Sequence, residues 1–157
     1  MPFDAILRRY FPDGSWEVER GHSGWNNTTR FVRADGRRWV LRIYETHKDE
    51  KKIGFEHLLL KKLNEVNLSF RVPNPSVCEN GSTIVRLEDG TERLACLFAY
   101  IEGERPAEGE VAAAESLGES TGELAHALAA LELPGAPAYA PYYEMESSYS
   151  WCTPDKV

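Results

Sequence analysis

Apolar residues along the chain follow two periodicities, one typical of strands and one typical of helices. Short runs rich in β-branched and aromatic residues, separated by turn residues, predict five strands. The predicted strands are Trp16–Gly21, Thr29–Ala34, Arg38–Tyr44, Ser82–Leu87 and Glu92–Ile101. Between the second and third strands, Asp35-Gly36 is a strong signal for a tight hairpin, so the sheet is expected to be antiparallel there.

Three other segments show helical spacing. A short leading helix is predicted for Pro2–Tyr10, and an amphipathic helix of about four turns for Lys51–Val66. The alanine- and glutamate-rich segment Val111–Leu131 predicts a long helix. Gly118 and Gly122 lie one turn apart in it and indicate close packing against another helix.

These elements predict an α+β domain with a five-stranded antiparallel sheet and one helix packed on it. The domain, with its leading helix, is expected to cover residues 1–101, and residues 102–157 are expected to form a linker and a helical segment. Four prolines and a cluster of aromatic residues follow position 133, so this tail is expected to be irregular, with its aromatics docked on another surface.

Charge is distributed unevenly along the 157 residues, whose net charge is −7. Residues 1–75 contain fourteen Lys and Arg against ten acids, and residues 76–157 contain four against fifteen. The basic first half suits an anionic ligand such as a nucleotide, although a solvated face also explains it. The acidic second half argues against a nucleic-acid surface.

The cysteines and the apolar runs indicate a cytoplasmic protein. Cys78, Cys96 and Cys152 are widely separated, and no C-x-x-C occurs, so neither a disulfide framework nor a zinc site is expected. Buried thiols in a reducing compartment are the expected state. No apolar run approaches the length of a membrane span, and residues 1–14 lack the features of a secretory signal.

The segment between the first two predicted strands is a candidate phosphate-binding loop. Small and hydrogen-bonding residues there let backbone amides approach phosphate oxygens. The candidates are Ser23, Gly24, Asn26, Asn27 and Thr28. The segment contains neither G-x-x-x-x-G-K-[ST] nor G-x-G-x-x-G, so an ordinary hairpin loop is the alternative interpretation.

Arg42 interrupts the apolar, strand-prone run Val40–Tyr44, and a charge in that position requires a partner. Glu56 lies on the hydrophobic side of the predicted helix 51–66, where it would face the sheet. A pair of these residues would hold the cation where it can also contact nucleotide phosphates. A surface arginine and a solvated glutamate are the alternative.

The third candidate is the run Leu97–Gly103, in which an apolar strand leads into a glycine. A strand that leaves the sheet into a linker exposes backbone groups with which an adenine edge can pair. An ordinary edge or core strand explains the same run.

The order of these segments resembles the first half of the aminoglycoside phosphotransferase family, which includes homoserine-kinase-like and choline-kinase-like enzymes and is similar in fold to protein kinases. The resemblance spans about residues 14–131. It is carried by Gly24-Trp25-Asn26-Asn27-Thr28-Thr29-Arg30-Phe31-Val32, Gly36-Arg37-Arg38-Trp39-Val40-Leu41-Arg42-Ile43-Tyr44, Glu56, Val72-Pro73-Asn74-Pro75, Leu97-Phe98-Ala99-Tyr100-Ile101-Glu102-Gly103 and Leu117-Gly118 through Leu124-Ala125-His126.

The resemblance implies a protein-kinase-like N-lobe that binds ATP or GTP, followed by a hinge and the start of a helical C-lobe. Residues 23–28 would position the nucleotide, and Arg42 would replace the phosphate-contacting lysine, with Glu56 as its partner. Phe98 would border the adenine pocket, and the hinge would be formed by Ala99, Tyr100 and Ile101. His126 resembles a packing residue of the family.

The family's catalytic loop, His-Gly-Asp-x-x-x-x-Asn, and its following metal-binding aspartate have no counterpart in this sequence. No catalytic residue and no metal ligand is therefore assigned. Phosphoryl transfer needs one carboxylate to orient or deprotonate the acceptor and others to hold Mg²⁺. The chain is therefore expected to be cut off before these residues and to be catalytically inactive by itself. Mg²⁺ is expected only with the missing C-lobe.

The predicted function is the nucleotide-binding part of an ATP- or GTP-dependent phosphotransferase that acts on a small-molecule hydroxyl or amine. A stand-alone nucleotide-binding pseudokinase module and a non-catalytic association domain are the alternatives. The sequence does not identify which small molecule accepts the phosphoryl group. Nucleic acid and membrane are not expected as partners, whereas self-association through the C-terminal helix and the aromatic tail is expected.

Overall fold

The computed structural model describes residues 3–21, 26–46, 48–134 and 144. Eight helices and strands lie within these ranges. In chain order they are α1 (Asp4–Tyr10), β1 (Trp16–Arg20), β2 (Asn27–Ala34), β3 (Arg37–Tyr44), α2 (Glu50–Glu65), β4 (Val85–Arg86), β5 (Leu94–Ala99) and α3 (Val111–Ala130). This order confirms the predicted α+β class.

The five strands form one sheet in the order β1-β2-β3-β5-β4, and all neighbouring strands are antiparallel. The β2–β3 hairpin turns at Asp35 and Gly36, whose φ angles are 51° and 69°. Positive φ at both central residues is the geometry that a two-residue hairpin with right-handed strand twist requires, and Asp-Gly adopts it readily. The predicted hairpin is confirmed.

The two faces of the sheet are covered by different helices. Leu41 and Ile43 of β3 belong to a buried cluster with Ile6, Leu7 and Phe11 at α1. Tyr44 lies in a second buried cluster, with Phe98 of β5 and Ile53 of α2 among its members. Because side chains alternate between the faces of a strand, β3 contributes to both cores. The leading helix therefore packs on the sheet in addition to the predicted helix.

β4 is shorter than the predicted strand Ser82–Leu87. The Ser82 hydroxyl donates to the Ile84 carbonyl at 2.9 Å and accepts the Ile84 amide at 3.0 Å. Hydrogen bonds of this local kind compete with a strand ladder, and the regular strand begins only at Val85. The predicted strand Glu92–Ile101 is also too long, because Glu92 has a positive φ of 57°.

α2 begins where a side chain caps its amides. Asp49 Oδ1 accepts the backbone N–H of Lys51 at 2.9 Å and that of Lys52 at 3.3 Å. Such a cap stabilises a helix by about 1 kcal/mol. The cap fixes the start of α2 close to the predicted Lys51, and the helix carries Glu56 over the sheet.

α3 contacts the rest of the fold near its C-terminal end. The Glu123 carboxylate accepts the backbone N–H of Ser69 at 2.7 Å and its hydroxyl at 2.5 Å. The predicted close helix packing at Gly118 and Gly122 is not seen within the described chain, where a Cβ built on either meets no atom within 4 Å. No described helix is long and apolar enough to span a membrane.

Both described cysteines, Cys78 and Cys96, are buried free thiols, as predicted. Cys152 and the aromatic tail, for which docking on another surface is predicted, lie outside the described residues.

Candidate functional site

Arg42 and Glu56 form the predicted ion pair. Arg42 lies in the centre of the sheet, where its register partners are Thr29 on β2 and Cys96 on β5. Its Nη1 atom lies 3.2 Å from Glu56 Oε1. The two side chains are 31% and 37% exposed, so the pair lies at the edge of the core and remains accessible to a ligand.

Aromatic rings surround the Arg42 guanidinium. Its centre lies 5.0 Å from the ring centroid of Phe98 and 5.9 Å from that of Tyr44. Cations in this position are attracted by the π face of the ring. The Tyr44 hydroxyl donates to Glu56 Oε2 at 3.4 Å, so the carboxylate has a donor on each oxygen. Burial raises the pKa of the Cys96 thiol beside them, which keeps this group neutral.

His57, the residue after Glu56, is part of this region although the sequence did not point to it. The side chain is buried, and its Nδ1 atom lies 2.7 Å from Thr83 Oγ1. Its ring contacts Phe98 edge to face at 5.4 Å. Burial lowers the pKa of His57 to about 4, with a further contribution from the Arg42 charge. The imidazole is therefore neutral at physiological pH and serves packing.

The first half of the candidate phosphate loop, with Ser23 and Gly24, lies outside the described residues. Gly21, where the chain enters the loop, lies so close to β2 that a Cβ would be 2.6 Å from the Thr29 carbonyl oxygen. Only glycine permits this approach without a shift of the backbone.

The second half of the loop, Asn26, Asn27 and Thr28, is attached to the end of β3. The Glu45 amide donates to the Asn26 carbonyl at 3.0 Å, and Thr28 Oγ1 donates to Glu45 Oε1 at 2.7 Å. Arg93 also donates to the Glu45 carboxylate, at 3.0 Å. The Thr28 hydrogen bond, followed by that of Arg93, lowers the pKa of Glu45.

The predicted hinge leaves β5 with two of its amides already engaged. The Ala99 N–H donates to the Asn74 carbonyl at 3.1 Å, and the Tyr100 N–H donates to the Arg38 carbonyl at 3.2 Å. The Ile101 N–H has no hydrogen bond within the described part of the chain. The Arg38 guanidinium stacks on the Tyr100 ring, 4.0 Å from its centroid.

Hinge, ion pair and loop lie in line along β3. Ala99 is the register partner of Trp39, and Arg42 follows three positions later, about 10 Å along the strand. Asn27 is the register partner of Tyr44, two positions beyond Arg42. Every predicted site residue that the structure describes therefore lies on or beside β3.

Phe98 and Arg42 share the face of the sheet that α2 covers. The side chain of Ala99 alternates to the other face, so Ala99 offers only its backbone on this side. A surface depression of about 680 Å³ lies at the β2–β3 hairpin between Ser15 and Arg38, away from the ion pair. Across the described ranges no group of three metal-ligating side chains occurs.

Two solved structures with a similar fold are small-molecule kinases. A microcompartment-associated aminopropanol kinase matches with a TM-score of 0.70 and 18% identity, over 97% of this chain and 46% of that kinase. The amicoumacin kinase hAmiN, in complex with AMP-PNP, Ca²⁺ and Ami, matches with a TM-score of 0.71 and 16% identity, over 92% of this chain and 46% of that kinase. The chain thus spans less than half the length of either kinase.

No curated protein matches the sequence at a significant level. A family model, in contrast, matches most of the chain, from residue 17 to residue 147. It describes the phosphotransferase enzyme family APH, which is the family that the sequence resembles. The chain belongs to this phosphotransferase enzyme family.

Proposed function

We propose that this chain is the nucleotide-binding part of an ATP- or GTP-dependent kinase that phosphorylates a small-molecule hydroxyl or amine. The observation that carries the proposal is the Arg42–Glu56 pair, which joins β3 to α2 at 3.2 Å in the middle of a kinase-like sheet. In this proposal residues 1–101 form the nucleotide lobe, and residues 102–157 begin the second lobe.

Arg42 is the proposed phosphate contact. Its guanidinium offers five N–H donors in a planar fork, and Glu56 engages one of its nitrogen atoms. The remaining donors are available for α- and β-phosphate oxygens, which charge-assisted hydrogen bonds favour. Glu56 holds the cation in place between nucleotide-binding events, so the site is ordered before the ligand arrives.

The hinge is the proposed binding site of the base. The Ala99 and Tyr100 amides are engaged inside the protein, which leaves the Ala99 carbonyl and the Ile101 N–H to pair with an adenine or guanine edge. Phe98 would close the inner wall of the base pocket. The loop residues Ser23, Gly24, Asn26, Asn27 and Thr28 would cover the phosphates with backbone amides.

A divalent cation is part of the proposed reaction, but the described residues do not fit one. The sequence contains no His-Gly-Asp-x-x-x-x-Asn, which supplies the acceptor carboxylate and a metal ligand in the resembled family. We therefore propose that the chain alone binds nucleotide without phosphoryl transfer. Release of phosphate above background that requires Arg42 would contradict this part of the proposal.

Self-association and a cytoplasmic location complete the proposal. Val111 and Leu117 on α3 are 69% and 68% exposed, and these apolar side chains belong to the surface that we propose for self-association. Light scattering at tens of micromolar should give a mass above the 17.7 kDa monomer, and Leu117→Glu should reduce it. A wild-type monomer would contradict self-association.

Calorimetric titration with ATP and with GTP, each with Mg²⁺, tests the nucleotide proposal. The wild-type chain should bind at least one nucleotide, and Arg42→Met should weaken binding by about 10-fold or more. Arg86→Met is the matched control, because Arg86 also pairs with a glutamate of α2, Glu50, at 3.0 Å, but on the outer strand β4. Absence of binding in the wild type, or equal losses in both variants, would contradict the proposal.

A further inference from the structure

The Glu45 carboxylate connects the end of the candidate phosphate loop with the turn between β4 and β5. Its Oε1 atom accepts the Thr28 hydroxyl at 2.7 Å, and its Oε2 atom accepts Arg93 Nη1 at 3.0 Å. The Glu45 amide donates to the Asn26 carbonyl at 3.0 Å. Glu45 therefore holds the end of the loop through its backbone and its side chain, and Arg93 in turn holds Glu45.

Arg93 is itself fixed within the turn between β4 and β5. Its Nη2 atom lies 2.7 Å from Asp89 Oδ2, and its Nε atom donates to Thr91 Oγ1 at 2.9 Å. A planar guanidinium with an acceptor at each of its three nitrogen atoms is held in one orientation. The hydrogen bond from Thr91, followed by that from Arg93, lowers the pKa of Asp89 to about 2. Asp89 and Glu45 are therefore both ionised at neutral pH.

This polar network lies on the face of the sheet opposite to Arg42. Thr28 is the register partner of Ile43, and Thr29 is the register partner of Arg42. Because side chains alternate along a strand, Thr28 shares the face of Ile43, which packs toward α1, and it meets Glu45 there. The network therefore does not occupy the face on which Arg42 would contact phosphates.

We infer that Glu45 is a positioning residue, which holds the end of the phosphate loop in the place where the loop backbone meets nucleotide phosphates. The inference rests on the proposed nucleotide site. The Thr28 hydroxyl has one hydrogen and donates it to Glu45, so Thr28 attaches the loop and is not a side-chain donor to phosphate. A loop end that is held before the nucleotide arrives loses less conformational entropy on binding.

This role concerns one part of the nucleotide only. The loop would contact the phosphates, whereas the hinge would contact the base. A displaced loop end should therefore weaken the binding of a nucleoside triphosphate and leave the binding of the nucleoside unchanged. A general loss of structure would weaken both, so the ratio of the two dissociation constants separates positioning from a merely structural role.

The test is titration of the full chain with Mg·ATP and Mg·GTP and with adenosine and guanosine, followed by NMR, which also measures weak affinities. Glu45→Ala should weaken binding of the triphosphate by about 5- to 10-fold and that of the nucleoside by less than about 2-fold. Glu45→Gln keeps an oxygen that can accept the Thr28 hydroxyl, so it should weaken the triphosphate by only about 2-fold.

A double-mutant cycle with Thr28→Val tests whether Glu45 acts through Thr28. Valine keeps the branched side chain and removes the hydroxyl. The substitution should weaken triphosphate binding about 3- to 10-fold in the wild type and less than about 2-fold in Glu45→Ala, where the acceptor is already absent. Equal losses in the two backgrounds would overturn the positioning of the loop through Thr28.

Glu79→Ala is the matched control. The Glu79 amide donates to the Arg9 carbonyl at 2.8 Å, and the Glu79 carboxylate pairs with Arg9 Nε at 2.6 Å. Glu79 thus repeats the backbone and side-chain contacts of Glu45, but at α1 and away from the loop. Glu79→Ala should leave both affinities unchanged, and urea unfolding compares its loss of stability with that of Glu45→Ala.

The titrations also separate this inference from the proposed function. A wild-type chain that binds neither nucleotide contradicts the proposed function and the inference with it. If the wild type binds a nucleotide, an unchanged triphosphate affinity in Glu45→Ala, or an equal loss for the triphosphate and the nucleoside, overturns the inference alone.

Discussion

At the scale of single residues, the accessibility of Arg42 and Glu56 decides how much their pair contributes to stability. A fully buried ion pair costs several kcal/mol when one partner is removed. These side chains are 31% and 37% exposed, so water screens them and compensates part of a lost contact. The pair is therefore expected to matter more for ligand binding than for folding.

Arg42→Met should lower the free energy of unfolding by about 1 kcal/mol, because it leaves the Glu56 carboxylate with the Tyr44 hydroxyl as its remaining donor. Adding Glu56→Gln should recover part of the loss, since no charge is then left unpaired. Urea unfolding of the four proteins of this cycle measures the coupling. Strictly additive effects would mean that the two side chains do not interact.

The Arg86–Glu50 pair provides the comparison for that cycle. It also joins a strand to α2, at 3.0 Å, but its side chains are 51% and 55% exposed. Its coupling should stay below about 0.5 kcal/mol, as for other surface pairs. A larger coupling there than at Arg42–Glu56 would show that exposure does not rank the two pairs.

The lowered pKa of His57 predicts a loss of folding stability in mild acid. Its pKa is lowered from 6.5 to about 4, so between these values the unfolded chain binds a proton that the folded chain does not. Stability is therefore complete above pH 6.5 and falls as the pH falls toward 4, by roughly 2–3 kcal/mol between pH 7.5 and pH 4.5. Urea unfolding at the two pH values measures this difference.

Because carboxylates also titrate in acid, variants are needed to isolate the His57 contribution. His57→Gln removes the titrating group while an amide can still bond to Thr83, so it should reduce the pH dependence. His126→Gln, on an exposed position of α3, should retain it. The same pH dependence in His57→Gln as in the wild type would contradict the assignment.

The sequence predicted Arg42 and Glu56 but not Tyr44, Glu45 or His57. A charge inside an apolar run is a local signal, and a glutamate on the inner face of a helix is another, so their pairing follows from two short segments. The roles of the other three depend on distant contacts, such as that of His57 with Thr83, 26 positions away. Hydropathy along a single segment does not report such contacts.

At the scale of helices and strands, the hydrophobic pattern predicted the number and order of the elements, and local polar contacts changed their ends. The tight hairpin and the amphipathic helix were predicted well because Asp-Gly and a helical apolar stripe are strong signals. The fourth strand was overestimated, since Ser82 bonds to Ile84 within its own segment. The pattern of apolar positions does not reveal a side-chain hydrogen bond of that kind.

Substitution of the two glycines in α3 tests whether another helix packs closely on them. Gly118→Ala and Gly122→Ala should each stabilise the helix by about 0.5–1 kcal/mol, because a Cβ at either position has open space and alanine loses less backbone entropy. Helicity and thermal unfolding by circular dichroism measure the change. A loss of stability, or of self-association, would mean that another helix packs closely on these glycines.

Gly21→Ala is a control that should lower the stability of the chain instead of raising it. Its Cβ would lie 2.6 Å from the Thr29 carbonyl oxygen, so the backbone must shift at the entrance to the phosphate loop. This substitution should destabilise the chain and weaken nucleotide binding together.

At the scale of the whole molecule, the sheet places three candidate ligand contacts along one strand and between two packed helices. The proposed base contacts of the hinge, the proposed phosphate contact of Arg42 and the end of the loop at Thr28 lie in one direction along β3. The depression of about 680 Å³ at the β2–β3 hairpin lies elsewhere. These two locations give opposite expectations for where a nucleotide binds.

Mapping nucleotide contacts by NMR decides between them most directly. Amide and side-chain signals of the labelled chain are followed during titration with Mg·ATP and Mg·GTP. We expect the largest shifts at Thr28, Arg42 and the hinge residues Ala99–Ile101, and a loss of these shifts in Arg42→Met. Shifts concentrated at the hairpin between Ser15 and Arg38, or no shifts at saturating nucleotide, would contradict the assignment of a nucleotide site along β3.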